Sequence, residues 1–510
     1  MQLTAIRGTM ASLLLAAAAS GCSVVPMPFT SAEIADKAED HLLRVVDADQ
    51  EPVTRPIDLY EAMARALKYN LDHRVETMEA ALRIKELDLA HFNLLPQAVA
   101  DSGYAARDNY NAASSFNLVT LQPNFGASTS QEKKISTADV AFTWNILDFG
   151  LSYVRARQAA DQYLIADELR RKVAHRVIED VRTAYWRALS ADRLLTRLRS
   201  LEGRVSTVQI NTRAIVDERQ TSPITAVTYE RELVEIKRTI QELERDLSVA
   251  RTQLSSLMNL RPGTPFTLVS PRRDLRDLSL DMPVKDMIST AVQNRAELRE
   301  VWYRQRINEH DLDAALLELL PGLQVYAGSN FDSNDFLYNN NWLNWGAKAS
   351  WNLIRLIQYP AKRSVIEAQQ QLLDERGLAV TMAIMTQVHV SRVRFYHSRK
   401  ELETAGEYLD VQRRMVELIR TEAGADRVSE QTLIREEMNT LVAEVRYDIA
   451  YASLQNAFAN VYASMGLDPY ASELDLDRSA KELALALRAV WFDRGDYGAG
   501  PPRSKVSFAR

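Results

Sequence analysis

Apolar and polar residues alternate strictly along "ADVAFTWNILDFG", Ala138 to Gly150. Ala138, Val140, Phe142, Trp144 and Ile146 fall on one side of an extended chain, and Asp139, Ala141, Thr143 and Asn145 on the other. A period of two predicts a strand with one apolar and one polar face. Soon afterwards the period changes. Leu169, Val173, Val177, Val181, Ala184, Ala188 and Ala191 recur at spacings of three and four, and Leu195, Leu198, Leu201, Val205 and Val208 continue the series. Such a stripe predicts a helix packed as in a coiled coil. Between Leu151 and Ser222 there is one Gly and no Pro. A helix of that extent is roughly 100 Å long at 1.5 Å per residue, so it must form a rod or the wall of a tube.

The pattern occurs twice. "LLP" at Leu94–Pro96 returns at Leu319–Pro321, and "ALKYNLDHR" from Ala66 lies over "AVQNRAELR" from Ala291, both at an offset of 225. "TWNIL" at Thr143 returns as "SWNLI" at Ser350, "LMNLRP" from Leu257 lies over "SMGLDP" from Ser464, and Arg213 pairs with Arg420, all at an offset of 207. The single change of 18 residues places a longer loop in the first half, between its Pro and its Trp. A sustained internal match marks a duplicated architecture. Each half predicts a helix of about 37 residues ended by Pro (Ile57 to Asn93 in the first), then two strands joined by a polar loop. A very long helix and a return helix follow: Leu151 onward and Ile224–Met258 in the first half, Ala361–Glu422 and Val428–Met465 in the second. The resulting division is 1–21, 22–56, a first repeat 57–259 (strands 97–107 and 136–147), a connection 260–282, a second repeat 283–469 (strands 322–331 and 342–353), and a tail 470–510.

The strands of the second half are also two-faced. Leu343, Trp345, Ala347, Ala349, Trp351 and Leu353 share one side, and Asn344, Gly346, Lys348, Ser350 and Asn352 the other. Strands of about ten residues, apolar outside and polar inside, are the signature of a barrel in an outer membrane. Phe142, Trp144, Trp345 and Trp351 are its expected lipid-facing residues. The helices, committed to rods, leave nothing to form a soluble core beneath such a sheet. Four strands cannot close a barrel, and an open edge in lipid strands several backbone groups. Two copies (eight strands) or three (twelve) would complete the wall.

Composition narrows the picture. The 510 residues exceed what one small core needs, 17 Gly and 16 Pro suit long helices, and a net charge of −6 argues against nucleic acid as a partner. The first 21 residues read as an export signal, with Arg7 the only charge before the apolar "MASLLLAAAAS". They lead into "ASGC", which places small residues before the sole cysteine, Cys22, as in a lipoprotein signal; lipidation at Cys22 is expected, and cleavage leaving a free thiol is the alternative. No later apolar run approaches the ~20 residues of a membrane-spanning helix.

No catalytic constellation emerges. "DFG" at Asp148–Gly150 matches the magnesium-binding tripeptide of protein kinases, but the Gly-rich loop, Val-Ala-Ile-Lys strand and His-Arg-Asp loop are missing. A turn in which Asp148 caps the next helix and Gly150 permits the bend is expected instead. The seven His form no zinc motif, and His175 with Glu179 reads as a solvated pair. No enzyme activity and no cofactor or metal is expected.

The repeated order of helix, Pro, strand pair, "WNILDFG", long helix and return helix, over about residues 57–469, resembles the TolC-like outer-membrane efflux protein family. In the second half "RLI" at Arg355–Ile357 replaces "DFG". The resemblance implies a mainly helical chain with a transmembrane β-barrel portion, three copies forming a twelve-stranded barrel continued by a helical tunnel across the periplasm. It implies passive conduction, with a periplasmic adaptor and an inner-membrane transporter as partners, for efflux or type I secretion. The helix breaks "RAIVDERQTSP" and "RTEAGADRVSE" resemble the family's Arg–Gly–Ser signature at the periplasmic tip. Adaptor contact is thereby implied for Arg213, Asp217 (where Gly is usual) and Ser222, and for Arg420, Gly424 and Ser429. Glu430, or Asp426 one turn away, falls at the pore constriction. The rival reading is a lipid-anchored periplasmic coiled-coil protein that forms no pore.

Overall fold

The computed structural model describes residues 27–46, 50–217, 223–270, 280, 282–425, 427–467 and 476–494. Cys22, Ser222 and Asp426 lie outside them. The chain divides into two units, one up to Pro52 and one from Val53. Within the first, α1 (Ser31–Val46) occupies part of what the sequence presented as a linker. It starts where Thr30 Oγ1 accepts from the Glu33 N–H at 3.3 Å and the Glu33 carboxylate accepts from the Thr30 N–H at 2.8 Å.

In the second unit the elements run α2 (Leu59–Tyr69), α3 (Leu71–Phe92), β1 (Gln97–Ala106), β2 (Ala113–Asn117), β3 (Gln122–Ser128), β4 (Lys134–Asn145), α4 (Ile146–Asp217) and α5 (Pro223–Leu257). The second repeat gives α6 (Val284–Asn294), α7 (Ala296–Leu317), β5 (Gly322–Asp332), β6 (Asn341–Ser350), α8 (Ile354–Gly424) and α9 (Glu430–Ser464), before the tail helix α10 (Ala480–Asp493). The two long helices have 72 and 71 residues. Among the described residues no helix is long and apolar enough to cross a membrane.

The structure corrects several local expectations. The first helix is not continuous: it breaks at Asn70, as its counterpart breaks at Arg295. Asn70 caps α3 by accepting from the His73 N–H, and its amide donates to the carbonyl of Leu257, the last residue of α5, at 3.1 Å. Arg295 donates in the same way to the Ala463 carbonyl near the end of α9, at 3.0 Å. Each junction residue thus satisfies a carbonyl that the end of the return helix would leave unpaired. Asn259 and Gly466, 207 apart, both take the left-handed backbone there, with φ of 53° and 70°. A Cβ on Gly466 would lie 2.6 Å from the Asn294 carbonyl carbon, so glycine is required where this turn meets the junction.

The long helices begin earlier than the sequence suggested. "DFG" lies inside the first turns of α4 and is not a turn. Its cap is Asn145, whose side-chain oxygen accepts from the Leu147 N–H at 3.1 Å. Asn352, 207 residues on, accepts likewise from the Ile354 N–H. The shared "WN" therefore builds both strand-to-helix turns, and "RLI" in place of "DFG" changes neither. α8 also runs through Pro360, which the sequence had placed ahead of the helix.

The principal sheet has the antiparallel order β1-β4-β5-β6, so β1 and β6 are open edges. A second correction is the loop between β1 and β4, which is not irregular: it holds the separate two-stranded hairpin β2–β3. The helices pack below. α4 pairs with α5 and α8 with α9, while α9 also packs on α4. The main core lies midway along the rods, where Tyr185, Trp186, Phe395, Tyr451 and Phe458 meet α2, α6 and α10. Trp491 of α10 is buried there beneath the Arg182 guanidinium, 4.4 Å from the ring centre. The connection between repeats is fixed at Ile57, which pairs with Leu268, and at Val269, whose carbonyl accepts from the Tyr185 hydroxyl at 2.6 Å.

Candidate channel wall and helical tip

The strand register sorts the wall into rows. Phe142 lies between Ala98 and Ala327, and Ala327 faces Trp345. Trp144 lies beside Val325 and Ala347, and Val140 between Ala100, Ser329 and Leu343. Directly opposed residues share a face, so one face is a band mainly of Ala, Val, Leu, Phe and Trp across all four strands, with Ser102 and Ser329 among them. It is bare in the single chain: Phe142 is 55% exposed and Trp345 84%. The other face carries Asp101 opposite Asp139, Thr143 opposite Tyr326, Gln324 opposite Lys348 and Gly328 opposite Asn344. Val99 and Trp342 are the bulky exceptions there.

Three of the glycines in the polar rows leave no room for a Cβ. A Cβ would fall 2.8 Å from Thr137 Oγ1 at Gly103, 2.8 Å from Asn344 Oδ1 at Gly328 and 2.5 Å from the Tyr326 hydroxyl at Gly346. Glycine in a strand leaves room where a neighbouring side chain approaches the backbone closely. Trp351 does not lie in the wall. β6 ends at Ser350, and the Trp351 indole N–H donates to the Leu319 carbonyl at 3.0 Å, tying the base of the sheet to the end of α7.

At the opposite end of the rods, α4 extends through Arg213 and Asp217. In the second repeat Ser429 caps α9, its hydroxyl accepting from the Thr432 N–H at 3.3 Å. Gly424 closes α8 with open space where a Cβ would be. Its φ is not positive, so this glycine leaves bare surface and does not serve a strained turn. Glu430 begins α9, exposed, 3.9 Å from Arg204 of α4. Arg420 bonds Glu417 at 3.1 Å and Glu437 at 3.2 Å.

Arg420 belongs to a larger arrangement. Glu437 also pairs with Arg204, and Glu444, one heptad along, pairs with Arg197 of α4 and with Arg413 of α8 at 3.5 Å. Asp448 follows, held by Arg193 at 3.3 Å and the Ser190 hydroxyl at 2.9 Å. Glu437 and Glu444 are acids of α9 clasped from both sides, by α4 and by α8, and Asp448 is held from α4. Sequence reasoning missed the ladder, although a signal was there: Arg197 and Arg204, Arg413 and Arg420, and Glu430, Glu437 and Glu444 all recur at seven residues. Apolar side chains Leu201, Val205, Ile434 and Leu441 pack beside it.

No protein-family model and no curated protein matches the sequence. Solved structures do. The outer membrane channel CmeC of Campylobacter jejuni superposes with a TM-score of 0.64 at 12% identity, over 91% of this chain and 97% of that one. CusC, described with its transmembrane channel formation, gives 0.61 at 16% identity, over 82% and 96%. The open-state outer membrane channel MtrE of Neisseria gonorrhoeae gives 0.61 at 16%, over 80% and 89%. The chain has the outer-membrane channel fold.

Proposed function

We propose that the chain is one subunit of a passive outer-membrane conduit, working in a tripartite efflux or type I secretion system. The observation that carries the reading is a four-stranded sheet with one apolar face, one polar face and two open edges, running directly into helices of 72 and 71 residues. Only further copies can satisfy those edges without exposing backbone to lipid. Eight strands enclose an interior that side chains fill, whereas a conduit needs a wider lumen, which favours twelve strands and hence three copies. The apolar band then meets lipid and the polar rows face water.

The helices would carry the lumen across the periplasm to a tip that meets an adaptor through Arg213, Asp217 and Ser222 of one hairpin and Arg420, Gly424 and Ser429 of the other. Bare surface at Gly424 suits close approach by a partner. Glu430, with Asp426 as the alternative, would set the narrowest ring. An inner-membrane transporter would supply the energy. An acyl chain at Cys22 would add an anchor that the barrel does not need.

Detergent-purified protein, crosslinked through its amines and then reconstituted in planar bilayers, tests the reading. Trimers and stepwise conductance are expected. Monomers that give no conductance would instead support the rival, a lipid-anchored coiled-coil scaffold.

A further inference from the structure

The hairpin β2–β3 has no counterpart in the second repeat and no part in the wall. Its stalk is braced. The Arg107 N–H extends the β1–β4 pairing to the Lys133 carbonyl at 2.8 Å, and the Lys133 ammonium lies 4.4 Å from the Tyr110 ring centre. Asn334, buried in the β5–β6 turn, donates to the Ser130 carbonyl at 2.9 Å and accepts from the Glu132 N–H at 3.1 Å. The second repeat thus grips the base of the hairpin.

What the hairpin presents is unusual. Residues 109–131 contain no charged residue, in a chain that is 25% charged. At the tip Leu118 is 82%, Val119 92%, Leu121 71% and Phe125 82% exposed. The turn is set by Asn117, whose side chain accepts from the Val119 and Thr120 N–H groups. Leu121 takes a φ of 51°, a conformation in which a bulky residue is an outlier and which Gly or Asn would hold more cheaply. Apolar side chains are therefore kept at the tip against the preferences of the turn.

We propose that the tips of three copies pack against one another over the distal mouth of the barrel. This rests on the trimeric conduit proposed above. Lipid is a poor occupant, because strands of about ten residues already span the ~25 Å apolar band and the hairpin continues beyond it. A free protein partner is also a poor occupant. The exposed apolar side chains of one tip amount to on the order of 600 Å², less than the ~800 Å² per partner of a stable interface between free proteins. Copies held in one barrel meet at an effective concentration in the ~millimolar range, at which a contact of this size suffices. Having no charge, like tips do not repel.

The full-length protein carrying Val119→Cys, oxidised after purification, tests this, with wild type controlling for Cys22. The axis allows one disulfide per trimer, so up to two of every three chains are expected as disulfide dimers on a non-reducing gel. Ser128→Cys, lower on the stalk, is expected to stay monomeric. The oxidised Val119→Cys protein is expected to lose conductance and regain it on reduction. If Val119→Cys stays monomeric in a sample that amine crosslinking shows to be trimeric, the tip contact is overturned and the conduit stands. If amine crosslinking gives no trimers, both fall.

Discussion

The ladder on α9 makes a quantitative claim. Glu444 is buried, with 8% of its side chain exposed, while Arg197 and Arg413 are each 52% exposed. Removing one arginine leaves the carboxylate paired with the other, at a cost of about 1 kcal/mol, as for a largely exposed ion pair. Removing both leaves a buried charge uncompensated, which costs about 3–5 kcal/mol. Removing the acid with Glu444→Gln leaves two arginines that water can reach, and again costs about 1 kcal/mol. Amide exchange across residues 437–448, read by mass spectrometry on the purified protein, reports local opening. Since ~1.4 kcal/mol is a factor of ten, Arg197→Met or Arg413→Met should speed exchange roughly fivefold and the double variant by about 150- to 5,000-fold. The cycle is therefore strongly non-additive. A double variant within ~0.5 kcal/mol of the sum of the singles would refute the clasp, since independent sites add that closely. So would Glu444→Gln proving as damaging as loss of both arginines.

Four further outcomes are expected. Phe142→Arg should impair membrane assembly, by about 2–4 kcal/mol near the midplane, whereas Thr143→Arg on the polar face should be mild; assembled protein in outer-membrane fractions checks this. Glu430→Gln should shift the reversal potential in a salt gradient toward lower cation selectivity, and Asp426→Asn should do so only if that residue forms the ring. Burial holds the His73 imidazole below its ordinary pKa, so the unfolded chain binds the extra proton first as pH falls. Stability should then drop on acidification below about pH 6.5, and His73→Gln should flatten the drop in melting temperature between pH 7.5 and 5.5. Cys22→Ala should remove the acyl mass from the mature protein, as intact-mass measurement would show.

The duplicated order of helices and strands was legible because two periods, two and three-to-four, alternate cleanly and recur at a fixed offset. The break at Asn70 was not legible. No Gly or Pro marks it, and the apolar stripe passes through "LKYNLDH"; what bends the chain is the carbonyl of Leu257, 187 residues away. Arg295 bends the second repeat with no cap of its own, by the same distant contact. "DFG" misled for the opposite reason. Its Asp and Gly suit a turn, yet the Asn just before it already supplies the cap, so the helix absorbs both. The hairpin was hidden because its tip is apolar where turns are usually Gly, Asn or Asp. At the tip, the sequence singled out Arg420 but not its partners, Glu417 one turn back on the same helix and Glu437 on α9.

The open edges of β1 and β6 also have a genetic consequence. If three chains share the wall, as proposed, it has no working form with fewer, so each defective copy spoils two sound ones. A chain that pairs through one edge but not the other would be incorporated and leave a gap. Expressed in equal amount with the normal chain, it would leave only about one assembly in eight wholly normal. Lesions that damage one edge strand should therefore be dominant, while lesions that prevent the chain from folding at all should be recessive.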